Sequence, residues 1–249
     1  MKQAGAGCRA TCALCHQHRT LVESHILSEF LYDEVYDPVK HRFHRLHTDP
    51  SFRNETRPKG IYERLNCLEC EAILSVYEDY AAKVFKGGIE IGVEARPDRI
   101  VVHDVSYKEF KLFQLSLLWR CSVSRMPEFA AVDLGPHEDA IRQLLKNGTP
   151  GEPHSYGCLM MIPELYDVVR KCLMPPVSVQ FQGHRSYCLL AKGFWWVFVV
   201  SNHSETLPEK EYFLSAGDIL TIVRERGSTQ FMMELARDLV RNPTFPRTL

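Results

Sequence analysis

Two Cys-x-x-Cys pairs constrain this chain more than any other feature: Cys12-Ala13-Leu14-Cys15 near the start, and Cys67-Leu68-Glu69-Cys70 further along its first third. At that spacing two thiolates turn toward one ion, and two such pairs complete the four-thiolate tetrahedron that structural zinc prefers. A redox dithiol needs only one pair. A disulfide framework does not suit nine cysteines, an odd number with no signal peptide ahead of them. The spacing therefore predicts a zinc ion held by Cys12, Cys15, Cys67 and Cys70. Because protein ligands fill its shell, such an ion is structural, and any chemistry has to come from other residues.

The 249 residues can bury a sizeable core, as one large domain or as a small domain attached to a larger one. With 45% apolar and 24% charged residues, the composition is that of an ordinary soluble globular protein. A formal charge of −1 exerts no global pull toward nucleic acid or an acidic membrane, so any such affinity must be local. The most apolar stretch, Ser186 to Val200, is broken by Lys192-Gly193 and is too short to cross a bilayer as a helix. A reducing, cytoplasmic setting without a membrane partner is the simplest expectation.

After the first knuckle, Thr20 to Ile26 alternates as a short strand ending at His25, and Ser28 caps a helical run through Glu29-Phe30-Leu31-Tyr32 that Pro38 ends. From Lys40 to Arg64 the chain is locally basic: Lys40, Arg42, Arg45, Arg53, Arg57, Lys59 and Arg64 stand against Asp49, Glu55 and Glu63. This stretch reads either as a solvated loop or as a contact surface for a phosphate backbone. The second pair leads into Glu71 to Phe85, where Ile73, Val76, Tyr77, Tyr80 and Val84 recur at helical spacing before Gly87-Gly88. Glu71 and Glu78 share one face of that helix. The helix dipole alone accounts for Glu71, and solvation for Glu78.

Knuckle, strand ending in histidine, long loop, second knuckle and helix, in that order, resemble the treble-clef zinc module of the HNH nuclease family, the ββα-metal nucleases. The resemblance covers about residues 8–86. It implies zinc on Cys12, Cys15, Cys67 and Cys70, and His25 as the base that activates water. Glu71 would hold a magnesium or manganese ion with help from Glu23 or Glu78, and the Lys40 to Arg64 stretch would grip nucleic acid. The sequence departs from the family at three places. Ser24 stands where an acidic residue or a second histidine precedes the base, Asn66 lies directly against Cys67, and Glu71 replaces histidine or asparagine. A lone His25 hydrogen-bonded to Glu71 suits an inactive scaffold equally well.

Residues 87–249 read as a larger α+β body. Strands are expected at Ile89 to Val93 and Arg99 to Val105, and a central buried helix from Tyr107 to Ser124, with Trp119 packed and Arg120 snorkelling or paired. A further helix is expected from about Pro136 to Lys146, and a strand at Gly157 to Pro163. Val177 to Phe181, Ser186 to Ala191 and Phe194 to Val200 make an antiparallel meander with hairpin turns. Trp195 and Trp196 serve as core in its central strand, and two closing helices follow, Ser215 to Arg226 and Ser228 to Asn242. Cys121, Cys158, Cys172 and Cys188 read as small buried apolar residues. His103-Asp104 and His184 are loose candidates only, since lone histidines are usually structural.

The reading as a whole is an α+β chain with a small treble-clef zinc module followed by a mixed α+β domain carrying an antiparallel meander and C-terminal helices. Its expected function is a zinc-stabilised HNH-like endonuclease hydrolysing nucleic-acid phosphodiesters. The alternative is a non-catalytic zinc-finger protein that binds nucleic acid or a protein partner. Under either reading the C-terminal domain could carry a protein partner or a homo-oligomer contact.

Overall fold

The structure, a computed structural model, describes residues 9–46, 51, 53–164 and 166–224, with 237 and 241. Its amino-terminal part is a three-stranded antiparallel sheet, β1 (Arg9–Thr11), β2 (His18–His25) and β5 (Tyr62–Cys67), in the order β1-β2-β5. A two-stranded hairpin, β3 (Phe43–Arg45) with β4 (Glu55–Arg57), projects between β2 and β5 in sequence. The stretch expected to start as a helix at Ser28 is one short 3-10 turn, Glu29–Tyr32.

β5 runs without a loop into α1 (Leu68–Lys86). Cys67, extended at φ −74 and ψ 164, serves as its N-cap residue, and Gly87 ends it in the left-handed region at φ 75. There the missing Cβ removes the steric penalty, and the Gly88 N–H closes the last turn on the Lys83 carbonyl at 2.8 Å. Helix α2 (Tyr107–Val123) is buried from Phe110 through Cys121, its apolar side chains packed all round while Lys111, Gln114, Ser116 and Arg120 are enclosed with them. α3 (His137–Asn147) packs beside it.

The remaining elements are β6 (Gly92–Ala95), β7 (Arg99–His103), β8 (Cys158–Ile162), the single turn α4 (Tyr166–Val169), β9 (Met174–Phe181), β10 (His184–Ala191), β11 (Phe194–Val199) and β12 (Leu220–Arg224). The strands form one seven-stranded sheet ordered β6-β7-β12-β8-β11-β10-β9, antiparallel except for the parallel pair β12 and β8. The expected meander is β9, β10 and β11. Gln182-Gly183 and Lys192-Gly193 have positive φ at both positions (49 and 81, 56 and 80), the type I′ geometry that matches strand twist. β11 is covered on both sides. Trp196 packs against Phe85, Phe110 and Phe113, with centroids 5.9 to 6.3 Å apart, while Val197 and Val199 join Leu159, Leu207 and Phe213 on the opposite face.

Two sequence expectations change. With residues 225 and 226 outside the described residues, the helix expected from Ser215 to Arg226 is not found over 215–224, because Leu220–Arg224 is β12. Its run Leu-Thr-Ile-Val, rich in β-branched residues, finds partners on both edges, and that pairing outweighs local helix propensity. The expected helix Ser228 to Asn242 lies outside the described residues apart from 237 and 241. Cys172 is exposed and Cys188 half-buried, whereas Cys121 and Cys158 are buried as expected. The parts on either side of residue 86 are not separated by a gap in packing: one apolar core runs from Cys12 and Leu14 through Leu74, Phe113 and Trp119 to Ile222. No helix of the described residues is long and apolar enough to cross a membrane.

Candidate metal centre and the buried ion-pair network beside it

The two knuckles are built by different local devices. At the first, the β1–β2 turn closes by hydrogen bonds from the Cys12 N–H to the Gln17 carbonyl and from the His16 N–H to the Cys12 carbonyl, each 2.9 Å, with His16 at φ 60. This tight turn carries Cys12 and Cys15. At the second, Cys67 ends β5 and Cys70 lies in the first turn of α1, on the side turned to the sheet. The knuckles are tied directly, through Ala13 N–H to the Leu65 carbonyl at 2.9 Å and Cys67 N–H to the Cys12 sulfur at 3.3 Å.

The four Sγ atoms lie within 4.8 Å of one another, Cys15 and Cys67 being 4.0 Å apart. A tetrahedral ion with sulfur at about 2.3 Å requires sulfurs about 3.8 Å apart, so this group is spaced to hold a metal ion such as zinc. Cys12, Cys67 and Cys70 are buried and Cys15 half-buried. Burial pushes the Cys67 thiol up to about 11 and the Cys70 thiol higher still. For Cys12 burial also acts upward, but the N–H groups of Cys15, Cys67 and Leu14 aimed at its sulfur bring it below the ordinary thiol range. Thiols raised in this way ionise when a cation binds them.

Beside this centre lies a network whose hub is Arg120. Its guanidinium is fully enclosed and reaches Glu71 at 3.3 Å and Glu78 through its other terminal nitrogen. The carboxylates accept further bonds: Glu71 from the Ser24 hydroxyl (2.7 Å) and the Asn66 amide (3.0 Å), and Glu78 from the Ser28 hydroxyl (2.8 Å). Ser24, Ser28 and Asn66 are themselves buried. α1 thus contributes both carboxylates, α2 the cation, and β2, β5 and the start of the 3-10 turn the neutral donors. The divalent ion expected at Glu71 with Glu23 or Glu78 has its place taken by a guanidinium, because α2 carries Arg120 between the two carboxylates.

Ser24 faces Glu71, so alternation along β2 turns His25 and Glu23 to the other face of the sheet. There His25 Nε2 lies 2.9 Å from the Glu29 carboxylate, whose second oxygen accepts from the Tyr36 hydroxyl at 2.8 Å, and the imidazole packs against the Tyr62 ring, tilted at 41° with centroids 4.1 Å apart. Burial, and then the bond to Glu29, push the Tyr36 hydroxyl up. His25 and Glu71, expected to act together, are therefore on opposite faces, and the carboxylate partner of His25 is Glu29.

The basic stretch is partly consumed internally. Arg45 bridges Glu55 (2.9 Å) and the enclosed Glu128 (2.6 Å), Arg57 pairs with Glu55 (2.7 Å), and Arg42 donates to the Thr56 carbonyl. Lys40, Arg53, Lys59 and Arg64 are exposed. The residues the sequence reading did not bring into the site are Glu29, Asn66 and Arg120 itself. The signal available was a single arginine inside the apolar run Phe110 to Cys121, which demanded an anion without naming one. No protein-family model matches the chain, and no curated protein or solved structure is found similar to it.

Proposed function

We propose that this chain is a non-catalytic, zinc-stabilised binding protein in which the HNH-like arrangement is kept as a scaffold. Cys12, Cys15, Cys67 and Cys70 hold a structural zinc ion that fastens a treble-clef-like hairpin to the start of α1. The observation that carries this reading is the Arg120 guanidinium bound to both Glu71 and Glu78. A nuclease of the resembled kind needs an open carboxylate facing the base, with an ion to stabilise developing phosphoryl charge. Here both carboxylates are neutralised from within and His25 faces away from them. A protein partner is favoured over nucleic acid, because Arg45 and Arg57 are spent on internal carboxylates and the whole chain carries no excess positive charge.

The test is elemental analysis of the purified chain with plasmid and RNA cleavage assays in magnesium and in manganese, alongside His25→Ala. The expected result is one zinc per chain and no cleavage by either protein. Cleavage that scales with the wild-type protein and disappears in His25→Ala would overturn the reading and restore the nuclease.

A further inference from the structure

Helix α1 turns Cys70, Leu74, Tyr77, Ala81 and Val84 into the core and presents its opposite face to solvent. Of the six large apolar side chains exposed among the described residues, three stand on that face: Leu68 (68% exposed), Val76 (57%) and Ile73 (36%). Single exposed apolar residues are ordinary, but these three, joined by the exposed Ala72 at helical spacing, form one stripe. The stripe starts between Cys67 and Cys70, so the second knuckle fixes its position.

The charges on this face are ordered along it. Glu69, Val76 and Lys83 recur every seventh residue and therefore fall almost in line, drifting only about 20° per step. Glu69 and Lys83 are exposed, and neither forms an ion pair among the described residues. Arg19, which borders a small cleft with Glu69, is bonded to Gln17 at 3.0 and 2.7 Å, and Lys86 is paired with Asp33 at 2.9 Å. Ala72 and Asp79 flank the line on one side, Ile73 and Tyr80 on the other. An acidic end, an apolar middle and a basic end make the face complementary to its own copy running in the opposite direction. A two-fold axis at Val76 sets Glu69 against the partner's Lys83, about 10.5 Å along the helix, and the same pair recurs on the other side. It also brings Ile73 to the partner's Tyr80. A parallel pairing would instead set like charges together at both ends.

We infer that the chain forms a homodimer in which two copies of α1 pack antiparallel about Val76, closed at each end by Glu69 and the partner's Lys83. The exposed charges of the stripe are Glu69, Asp79 and Lys83, with no positive excess to hold a nucleic-acid backbone or an anionic membrane. Dimerisation through this face does not depend on whether His25 is catalytic.

The test is sedimentation velocity of the zinc-loaded full chain over about 5 to 500 µM, a range suited to a contact smaller than the roughly 800 Å² per partner of a standard interface. The wild type should pass from monomer to dimer across it. Val76→Glu sets two like charges together on the axis and should keep the chain monomeric, whereas Val177→Glu, at an exposed apolar residue of β9, should leave the dimer unchanged. Glu69→Lys and Lys83→Glu should each weaken the dimer at least about tenfold, because each turns both ion pairs into repulsions. An equimolar mixture of these two variants should dimerise again, since the mixed pair once more sets a lysine against a glutamate at both ends. No folding defect produces that recovery, and zinc content and circular dichroism check each variant separately. A wild type still monomeric at the highest concentration would overturn the inference and leave the stripe to a different protein. A dimer that survives Val76→Glu or is lost in Val177→Glu would overturn it too, as would a mixture that stays monomeric.

Discussion

Arg120 on α2 and Glu71 on α1 meet at 3.3 Å next to the cysteine cluster, with the guanidinium fully enclosed. That pair, completed by Glu78, joins the helix that carries Cys70 to the helix at the centre of the body. Buried ion pairs are weak evidence of net stability, because desolvation offsets much of the attraction. Removing one partner is nevertheless costly, since it leaves a buried charge alone.

Arg120→Met should therefore destabilise the chain by about 3 to 5 kcal/mol. Adding Glu71→Gln and Glu78→Gln should recover part of that loss, because the stranded carboxylates disappear. Urea unfolding of the single and triple variants measures this, and a triple variant less stable than Arg120→Met would contradict the network.

Metal removal should act mainly on the amino-terminal sheet. A chelator, or Cys70→Ser, is expected to release the ion and lower the unfolding temperature, with hydrogen exchange rising in β1, β2 and β5 before β10 and β11. Because burial raises Cys67 to about 11 and Cys70 higher, reloading near neutral pH should release at least two protons, from those two thiols. Affinity should tighten as pH rises through the range where thiols compete with the metal. Calorimetry in two buffers of different ionisation enthalpy counts the protons.

Lys111 gives a stability term of opposite sense to a salt bridge. Its ammonium, wholly buried in α2, donates to the Tyr156 carbonyl at 2.7 Å and the Pro153 carbonyl at 3.4 Å, and burial brings it from 10.5 down to about 8. Below about pH 8 both folded and unfolded chains hold the proton, and the whole penalty, on the order of 3 kcal/mol, is present. From there to about 10.5 the unfolded chain holds more protons than the folded one, so this contribution to stability rises with pH. Relative to Lys111→Met, the wild type should gain about 2 kcal/mol between about pH 7 and pH 9.5. A pH-independent difference between the two proteins would show that the amine does not titrate in this window.

The two hairpin glycines should respond unequally to alanine. Gly183 at φ 81 has open space where a Cβ would stand, so Gly183→Ala should cost only the left-handed strain, about 1 kcal/mol. At Gly193, φ 80, a Cβ would sit 2.6 Å from the Tyr166 ring and 3.2 Å from the Arg170 Cα, so Gly193→Ala should cost clearly more. Thermal unfolding of the two variants compares them, and equal losses would mean that α4 yields freely.

Legibility in the sequence followed the range of the interactions involved. The knuckles, the Gly87 end of α1, the apolar-rich α2 and the two I′ turns depend on neighbours a few residues apart, and spacing alone reveals them. β12 is decided by Val102 and Met160, partners far away in the chain, so a local reading took its span for a helix. The site divided in the same way. Cysteine spacing picked out the four sulfurs that stand close enough to hold a metal ion, whereas the pairing of Glu71 and Glu78 turned on where α2 delivers Arg120, which no single motif records.

The position of β12 orders the birth of the molecule. During synthesis β6 and β7 emerge early, and β8 to β11 follow as a separate group, but the slot between β7 and β8 can be filled only after Arg224 has left the ribosome. At roughly 5 to 20 residues per second, two raw strand edges wait for seconds side by side in a half-made chain. A nascent chain arrested before residue 220 would retain its cysteine knuckles and yet expose both edges to any neighbouring strand, making it prone to misassembly with its own copies on a polysome.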